Sequence, residues 1–160
     1  MIHVLIGTKA QYIKTAPLLR LMDEEGVSYR LVDTGQHAAI SATMRANLDI
    51  REPDVFIGGQ RDVTTIPQAI VWAARLGMRL FSKAKLRDEI FAGQAGVCVV
   101  HGDTPSTLIT AAMAKRAGLA LAHLESGVRS HRLTHPFPEE IIRLLVMRMG
   151  TLLFAPKSPP

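Results

Sequence analysis

Between positions 123 and 140 the chain reads HLESGVRSHRLTHPFPEE. Glu125 directly follows an apolar run, then comes a loop rich in arginine and histidine, two prolines, and the acids Glu139 and Glu140. Carboxylates move protons and cationic side chains stabilise negative charge, so the mixture raises proton transfer beside an anion as a chemistry for this loop. Two other stretches carry groups of the same kind: GTKAQYIK contains Lys9 and Lys14, and HGDTPST contains Asp103.

Each residue also has a purely structural reading. Asp103 could cap a helix, but Thr104 followed by Pro105 already supplies an N-cap and a first-turn proline. Glu125 could be a solvated loop acid. Glu139 follows Pro138 in the first turn of an expected helix, where a carboxylate suits the helix dipole and Arg143 lies at i+4. Lys14 could simply face solvent, and Pro17 leaves open whether it lies in a helix or just before one. His131 and His135 stand at i, i+4 but in a proline-flanked loop without an HExxH pattern, so no metal site is expected.

The elements that must position these residues alternate along the chain. IHVLI (2 to 6), SYRLVD (28 to 33), PDVFI (53 to 57), GVCVVH (96 to 101), LALAHL (119 to 124) and TLLFA (151 to 155) are short apolar runs of strand type. Helix-length segments lie between them: 10 to 25, with Ile13, Ala16, Leu19 and Met22 at threefold spacing; 64 to 92, expected to be interrupted; and 105 to 117. Crossovers of that length join parallel strands, and apolar strands covered on both faces imply an α/β fold with a doubly wound parallel sheet. Ligands bind such sheets outside the carboxyl ends of the strands, so Lys9 and Lys14, Asp103, and Glu125 with Glu139 are delivered toward one edge. The final APKSPP reads as the start of a linker.

A chain of 160 residues, 48% apolar and 21% charged, fits one globular domain with a real core. Its one cysteine, Cys98, lies within GVCVV, which excludes a disulfide framework and favours a reducing compartment. The amino terminus lacks the features of a signal peptide and no window is apolar enough to span a bilayer, so a soluble cytoplasmic protein is expected. The net charge of +5 is compatible with any polyanion. Arg75, Arg79 and Lys83, at i, i+4, i+8 on one expected helix face with Lys85 and Arg87 behind, are expected to be a solvated stripe, since only 5% of residues are aromatic and no base-stacking platform accompanies them. Neither nucleic acid nor membrane is expected as a partner.

GTKAQYIKTAPL, TGQH, HGDTPST, HLESGVRS and HPFPEEIIR resemble, in order and spacing, the signatures GTRPEAIKMAPL, QH, HGDTTTT, HVEAGLRT and PWPEEANR of the non-hydrolysing UDP-N-acetylglucosamine 2-epimerases. Five ordered motifs, with 22 positions from Asp103 to Glu125 and 14 from Glu125 to Glu139, are far more specific than any one. The resemblance implies the first of two Rossmann-like domains in a glycosyltransferase-B-like architecture, residues 1 to 154, with a linker from 155 and a UDP-binding second domain outside the chain. It implies elimination of UDP from carbon 1 with loss of the carbon 2 proton, then readdition to give UDP-N-acetylmannosamine, a precursor for cell-surface polysaccharide. By position Asp103, Glu125 and Glu139 match the acidic catalytic set. Lys9, Lys14 and Arg143 match basic residues that contact the diphosphate or hold the acids, and Gln36 and His37 match residues that touch a second, regulatory UDP-sugar in some members. No cofactor is implied, the partner is a UDP-sugar, and the full-length enzyme is expected to be a homodimer. The mixed charge of the opening loop then has a physical account: a departing diphosphate needs cations while the carbon 2 proton needs a base.

The chain departs from the family at Lys9-Ala10-Gln11, which stands where Arg-Pro-Glu is usual and lacks a planar guanidinium. Related epimerases of diacetamido or uronic-acid sugars therefore stay open as alternatives, as do a glycosyltransferase of the same architecture and a non-catalytic nucleotide-sugar binding module. The 160 residues alone are expected to be inactive or nearly so.

Overall fold

The computed structural model describes residues 1–59, 62–132 and 135–157. Six strands form one parallel sheet: β1 (Ile2–Ile6), β2 (Tyr29–Asp33), β3 (Val55–Phe56), β4 (Val97–His101), β5 (Ala120–Leu124) and β6 (Leu152–Phe154), in the spatial order β3-β2-β1-β4-β5-β6. Helices α1 (Lys9–Glu24), α2 (Ala38–Leu48), α3 (Ile66–Met78), the single turn α4 (Lys83–Lys85), α5 (Pro105–Ala117) and α6 (Glu139–Met149) fill the connections. This is the doubly wound Rossmann-like order, and the chain reverses direction across the sheet between β1 and β4.

Alternation along the strands divides the core in two, because successive strand side chains point to opposite faces. Leu5, Cys98, Val100 and Leu121 face one layer with Trp72 and Leu76 of α3, Ala111 and Ala114 of α5, and Ile142 and Val146 of α6. Val4, Ile6, Val99 and Ala122 face the other with Tyr12, Ala16 and Leu19 of α1. Both faces are covered, which is why these strands read as nearly continuous apolar runs.

Local chemistry sets the helix starts. Thr8 accepts from the Gln11 amide and the Gln11 side chain returns to the Thr8 amide, a reciprocal cap. Thr104 caps α5 ahead of Pro105, as its sequence predicts. Gly118 ends α5 with φ of 89°, a left-handed conformation that costs a glycine nothing.

Several expectations need correction. Helix α2 was not foreseen, since its Ala-rich, weakly patterned sequence carries little periodicity. On α1 the buried face is Gln11, Tyr12, Thr15, Ala16 and Leu19, whereas Ile13 is exposed; Lys14 and Pro17 both lie within the helix. Strand β3 shrinks to two residues. The edge strand β6 is exposed at all three positions and is not covered on both faces. The expected basic stripe does not lie on one helix face: α3 ends at Met78, Arg79 begins a 3-10 turn, and Lys83 begins a separate turn followed by a π-helical one over Leu86–Ile90.

Candidate active site

The carboxyl ends of β1, β4 and β5 lie side by side, and the loops that leave them build the site. Space there is tight: a Cβ on Gly7 would stand 1.9 Å from Thr34 Oγ1, so only glycine lets the loops after β1 and β2 approach this closely. Gln11 locks the loops after β1 and β4 together. Its Nε2 donates to the His101 carbonyl (2.8 Å) and Thr107 Oγ1 (2.9 Å) and lies 3.2 Å from Thr104 Oγ1, while its Oε1 accepts from the amides of Gly7 (2.8 Å) and Thr8 (3.1 Å).

Glu125 follows β5 with φ of 61°, a left-handed backbone that costs a side-chain-bearing residue about 1–2 kcal/mol. Such strain persists where the surroundings over-determine a geometry. Its carboxylate accepts from Lys14 Nζ at 2.6 Å and lies 3.9 Å from His101 Nδ1. Burial pushes the His101 imidazole below its ordinary value, opposed by the Glu125 carboxylate, so the ring stays neutral near pH 7. Asp103 pairs with Arg143 of α6, both largely buried. His123 holds the turn just before Asp103 through Nε2 and the Gly102 carbonyl, 2.7 Å apart, and burial lowers its pKa too.

Helix α6 is steered into this cluster by Glu140 rather than Glu139. The buried Glu140 carboxylate accepts from Arg129 Nε (2.5 Å) and the Ser130 amide (3.2 Å), and lies 3.9 Å from Arg143 Nη1. The Arg129 guanidinium holds its carboxyl below the usual carboxylate range. Arg143 turns to Asp103 rather than to Glu139, whose buried Oε2 has no hydrogen-bond partner among the described residues. Of the structural reading, the place in the first turn of α6 stands and the pair with Arg143 does not. Three ion pairs, Lys14 with Glu125, Arg143 with Asp103 and Arg129 with Glu140, thus join the segments that follow β1, β4 and β5, an arrangement able to hold an anion and move protons.

Not every expected residue joins this cluster. Lys9 is exposed in the first turn of α1, and no ion pair of it occurs among the described residues. Gln36 and His37 follow β2, with the Gln36 carbonyl accepting from Val63 at 2.9 Å and its buried Oε1 unpaired. Val63, the Gln36 partner, lines a cavity of about 340 Å³ with Gly58 and Trp72. Asp33 ends β2, where dinucleotide-binding sheets keep an acid for a ribose. Here it is occupied by Tyr12 Oη (2.7 Å), the Gly35 amide (2.7 Å) and Arg45 (3.7 Å). His131 has a left-handed backbone, and no group of three metal-ligating side chains occurs among the described residues. His101, His123 and Arg129 were not singled out from the sequence, and Gln11 and Glu140 were named there without a role in the site. Only His101 carried a signal, as a polar residue closing an apolar strand directly before Gly-Asp.

Residues 19–159 match the family described as UDP-N-acetylglucosamine 2-epimerase. The UDP-N-acetylglucosamine 2-epimerase of Campylobacter jejuni is 27% identical over 159 residues, which cover 97% of this chain and 38% of that protein. The UDP-2,3-diacetamido-2,3-dideoxy-D-glucuronate 2-epimerase of Pseudomonas aeruginosa is 30% identical, over 97% of this chain and 41% of that protein. Among solved structures, the UDP-GlcNAc 2-epimerase of Methanocaldococcus jannaschii in complex with UDP-GlcNAc and UDP superposes with a TM-score of 0.78 at 25% identity, over 97% of this chain and 40% of that one. The chain therefore spans about two fifths of the length of the relatives it matches.

Proposed function

Because this chain belongs to the UDP-N-acetylglucosamine 2-epimerase family, we propose that it forms the acid-bearing wall of an active site that inverts carbon 2 of UDP-N-acetylglucosamine. The observation that carries this reading is the pairing of acids with cations at two adjacent strand ends: Glu125 with Lys14, and Asp103 with Arg143, beside the unpartnered Glu139. A carboxylate takes the proton from carbon 2 as the carbon 1–oxygen bond breaks, the electron pair of the C–H bond becomes the new C=C bond, and the leaving diphosphate takes the electrons of the C–O bond. Lys14 and Arg143 stabilise the charge that develops on it. Readdition of UDP to carbon 1, with a proton delivered to carbon 2 from the opposite face, completes the inversion. Two faces require acids from different strands, which this fold supplies. No cofactor takes part in these steps.

The remaining assignments belong to the same proposal. The acid-bearing domain is residues 1 to 154, with residues from 155 leading to a second, UDP-binding domain. Lys9 contacts the diphosphate, and Gln36 and His37 line a second UDP-sugar site. The complete enzyme works in the cytoplasm as a homodimer and supplies a sugar nucleotide for cell-surface polysaccharide. The buried thiol of Cys98 and the exposed Ile66, Ile70 and Val71 on the outer side of α3 support a reducing compartment and a second copy, respectively. Among the described residues no helix is long and apolar enough to cross a membrane. A diacetamido uronic-acid substrate is the second reading, favoured by the Pseudomonas aeruginosa relative and by Lys9-Ala10-Gln11.

The test is substrate turnover by this chain joined to the remaining length of a relative. Asp103→Asn, Glu125→Gln and Glu139→Gln are each expected to lower turnover about a hundredfold or more with folding intact. Near-normal epimerisation in all three variants sinks the assignment.

A further inference from the structure

At the opposite end of the sheet from the acids, charge and exposed apolar surface coincide. The segment from Arg79 to Glu89 together with Lys115 and Arg116 holds six basic residues (Arg79, Lys83, Lys85, Arg87, Lys115, Arg116) against two acids, Asp88 and Glu89. The rest of the chain holds thirteen basic and twelve acidic residues, so this patch carries four of the five excess positive charges. The patch is continuous. Arg116 Nε donates to the Leu80 carbonyl at 3.3 Å, and Lys83 and Arg87 line the same 220 Å³ cavity as Ala117 and Gly118 at the end of α5. Arg79 pairs with Glu89 at 3.2 Å, which leaves five cations without an ion pair among the described residues.

At its centre the helix breaks twice, and the turn between Met78 and Ser82 thrusts Phe81 outward. Phe81 is 86% exposed and Met78 is 60% exposed. Beside them a groove of about 370 Å³ is lined by Met78, Leu86, Ile90 and Lys85, with the paired Arg79 and Glu89. Expectation from the sequence made this stripe a solvated face, but a solvated face does not need an aromatic ring standing in water among its cations. Apolar side chains ringed by lysine and arginine match the interfacial zone of a bilayer, where rings enter the headgroup boundary and cations meet anionic lipid. Like charge disfavours the same patch of a second copy as the cover, and an anion alone gives Phe81 and Met78 nothing to bury against.

We propose that the Met78–Arg87 corner and the end of α5 form a docking surface for an anionic phospholipid bilayer. The surface lies at the amino ends of β4 and β5, so a docked molecule keeps the site at the carboxyl ends open to solution. The attachment is peripheral, and it is independent of the reaction proposed above.

The probe is co-sedimentation of the 160-residue chain with vesicles of phosphatidylcholine alone, and with vesicles of equal parts phosphatidylcholine and phosphatidylglycerol. Retention is expected only on the anionic vesicles and is expected to fall as salt rises. Lys83→Ala and Arg87→Ala are each expected to weaken it about fivefold. Phe81→Ser is expected to weaken it by a similar factor without changing the melting temperature, because the ring touches little of the fold. No retention on anionic vesicles at low salt overturns the proposal, as does equal retention on neutral ones. Retention that responds to the cations but not to Phe81 also overturns it, since the patch is then a general polyanion site; equally tight binding of a DNA duplex, insensitive to Phe81→Ser, is that same outcome read directly.

Discussion

Replacing Gln11 with methionine keeps its length and volume while removing both polar ends, and so tests whether this side chain ties the loops of the site together. The structure allows the cost to be worked out partner by partner. The His101 carbonyl keeps a second donor in Thr107 Oγ1 at 2.8 Å, and the Thr104 and Thr107 hydroxyls, 3.0 Å apart, can satisfy each other. The Gly7 amide has no such recourse: it is buried and loses its acceptor, at about 1–3 kcal/mol. The Thr8 amide is only partly buried and can turn to water, so its loss is nearer 1 kcal/mol. The total is about 2–4 kcal/mol, out of the ~5–15 kcal/mol that stabilises a domain of this kind. For a chain of this length that is a fall in Tm of about 5–15 °C. Gln11→Glu is expected to cost less, since its carboxylate still accepts from both amides and the Thr104 hydroxyl can rotate to donate, while the Thr107 proton stays on the His101 carbonyl, which then faces a repelling oxygen. Thermal unfolding of the 160-residue chain followed by circular dichroism reads both variants. A fall of less than about 2 °C for Gln11→Met, or a larger fall for Gln11→Glu than for Gln11→Met, refutes the reasoning.

Glu125→Gly removes a left-handed strain of about 1–2 kcal/mol and an exposed ion pair contributing at most about 1 kcal/mol, so its Tm is expected to be unchanged or up to about 4 °C higher even though activity in the complete enzyme is lost; a marked fall in Tm contradicts this. His3, His101 and His123 are all held below their ordinary value, mainly by burial, so the unfolded chain binds more protons than the folded one at mildly acidic pH. Their stabilising contribution is full above about pH 6.5 and is lost as pH falls through the folded values. Urea unfolding at pH 7.5, 6.5 and 5.5 is expected to show progressively lower stability, and a flat profile counts against it. Lys14→Ala is expected to weaken UDP binding by the complete enzyme more than it lowers the Tm of this chain, because the lysine is half exposed and its pair with Glu125 adds little to folding. An unchanged dissociation constant by calorimetry returns Lys14 to a surface role.

What could be read in advance followed the range of the interaction. The Thr104-Pro105 start of α5 depends on neighbours a few residues apart, and the apolar strands depend on local composition, so both were legible. That the segments carrying Asp103, Glu125 and Glu139 leave the same edge followed from topology, because a parallel sheet sends all its carboxyl ends to one edge. Which acid holds which cation was not legible. Arg143 is spaced to meet Glu139 within its own helix, yet it pairs with Asp103, 40 residues away, because Glu140 and Arg129 set the rotation of α6. Gln11 appeared only within a departure from the family pattern and proved to join the loops after β1 and β4. The interruption of the 64 to 92 region was expected but its place was not, since Arg75, Arg79 and Lys83 keep helical spacing in sequence while the backbone turns beneath them.

The most direct measurement replaces the matching two fifths of the Methanocaldococcus jannaschii enzyme with this chain and follows carbon 2 of UDP-N-acetylglucosamine by NMR in deuterated water. The expected result is deuterium at carbon 2 with appearance of the manno epimer, and loss of both when Asp103→Asn, Glu125→Gln and Glu139→Gln are combined in a hybrid that keeps its circular dichroism spectrum and Tm. Exchange that survives the triple replacement, or exchange catalysed by the 160 residues alone, contradicts the assignment of these three acids to one wall of a shared active site.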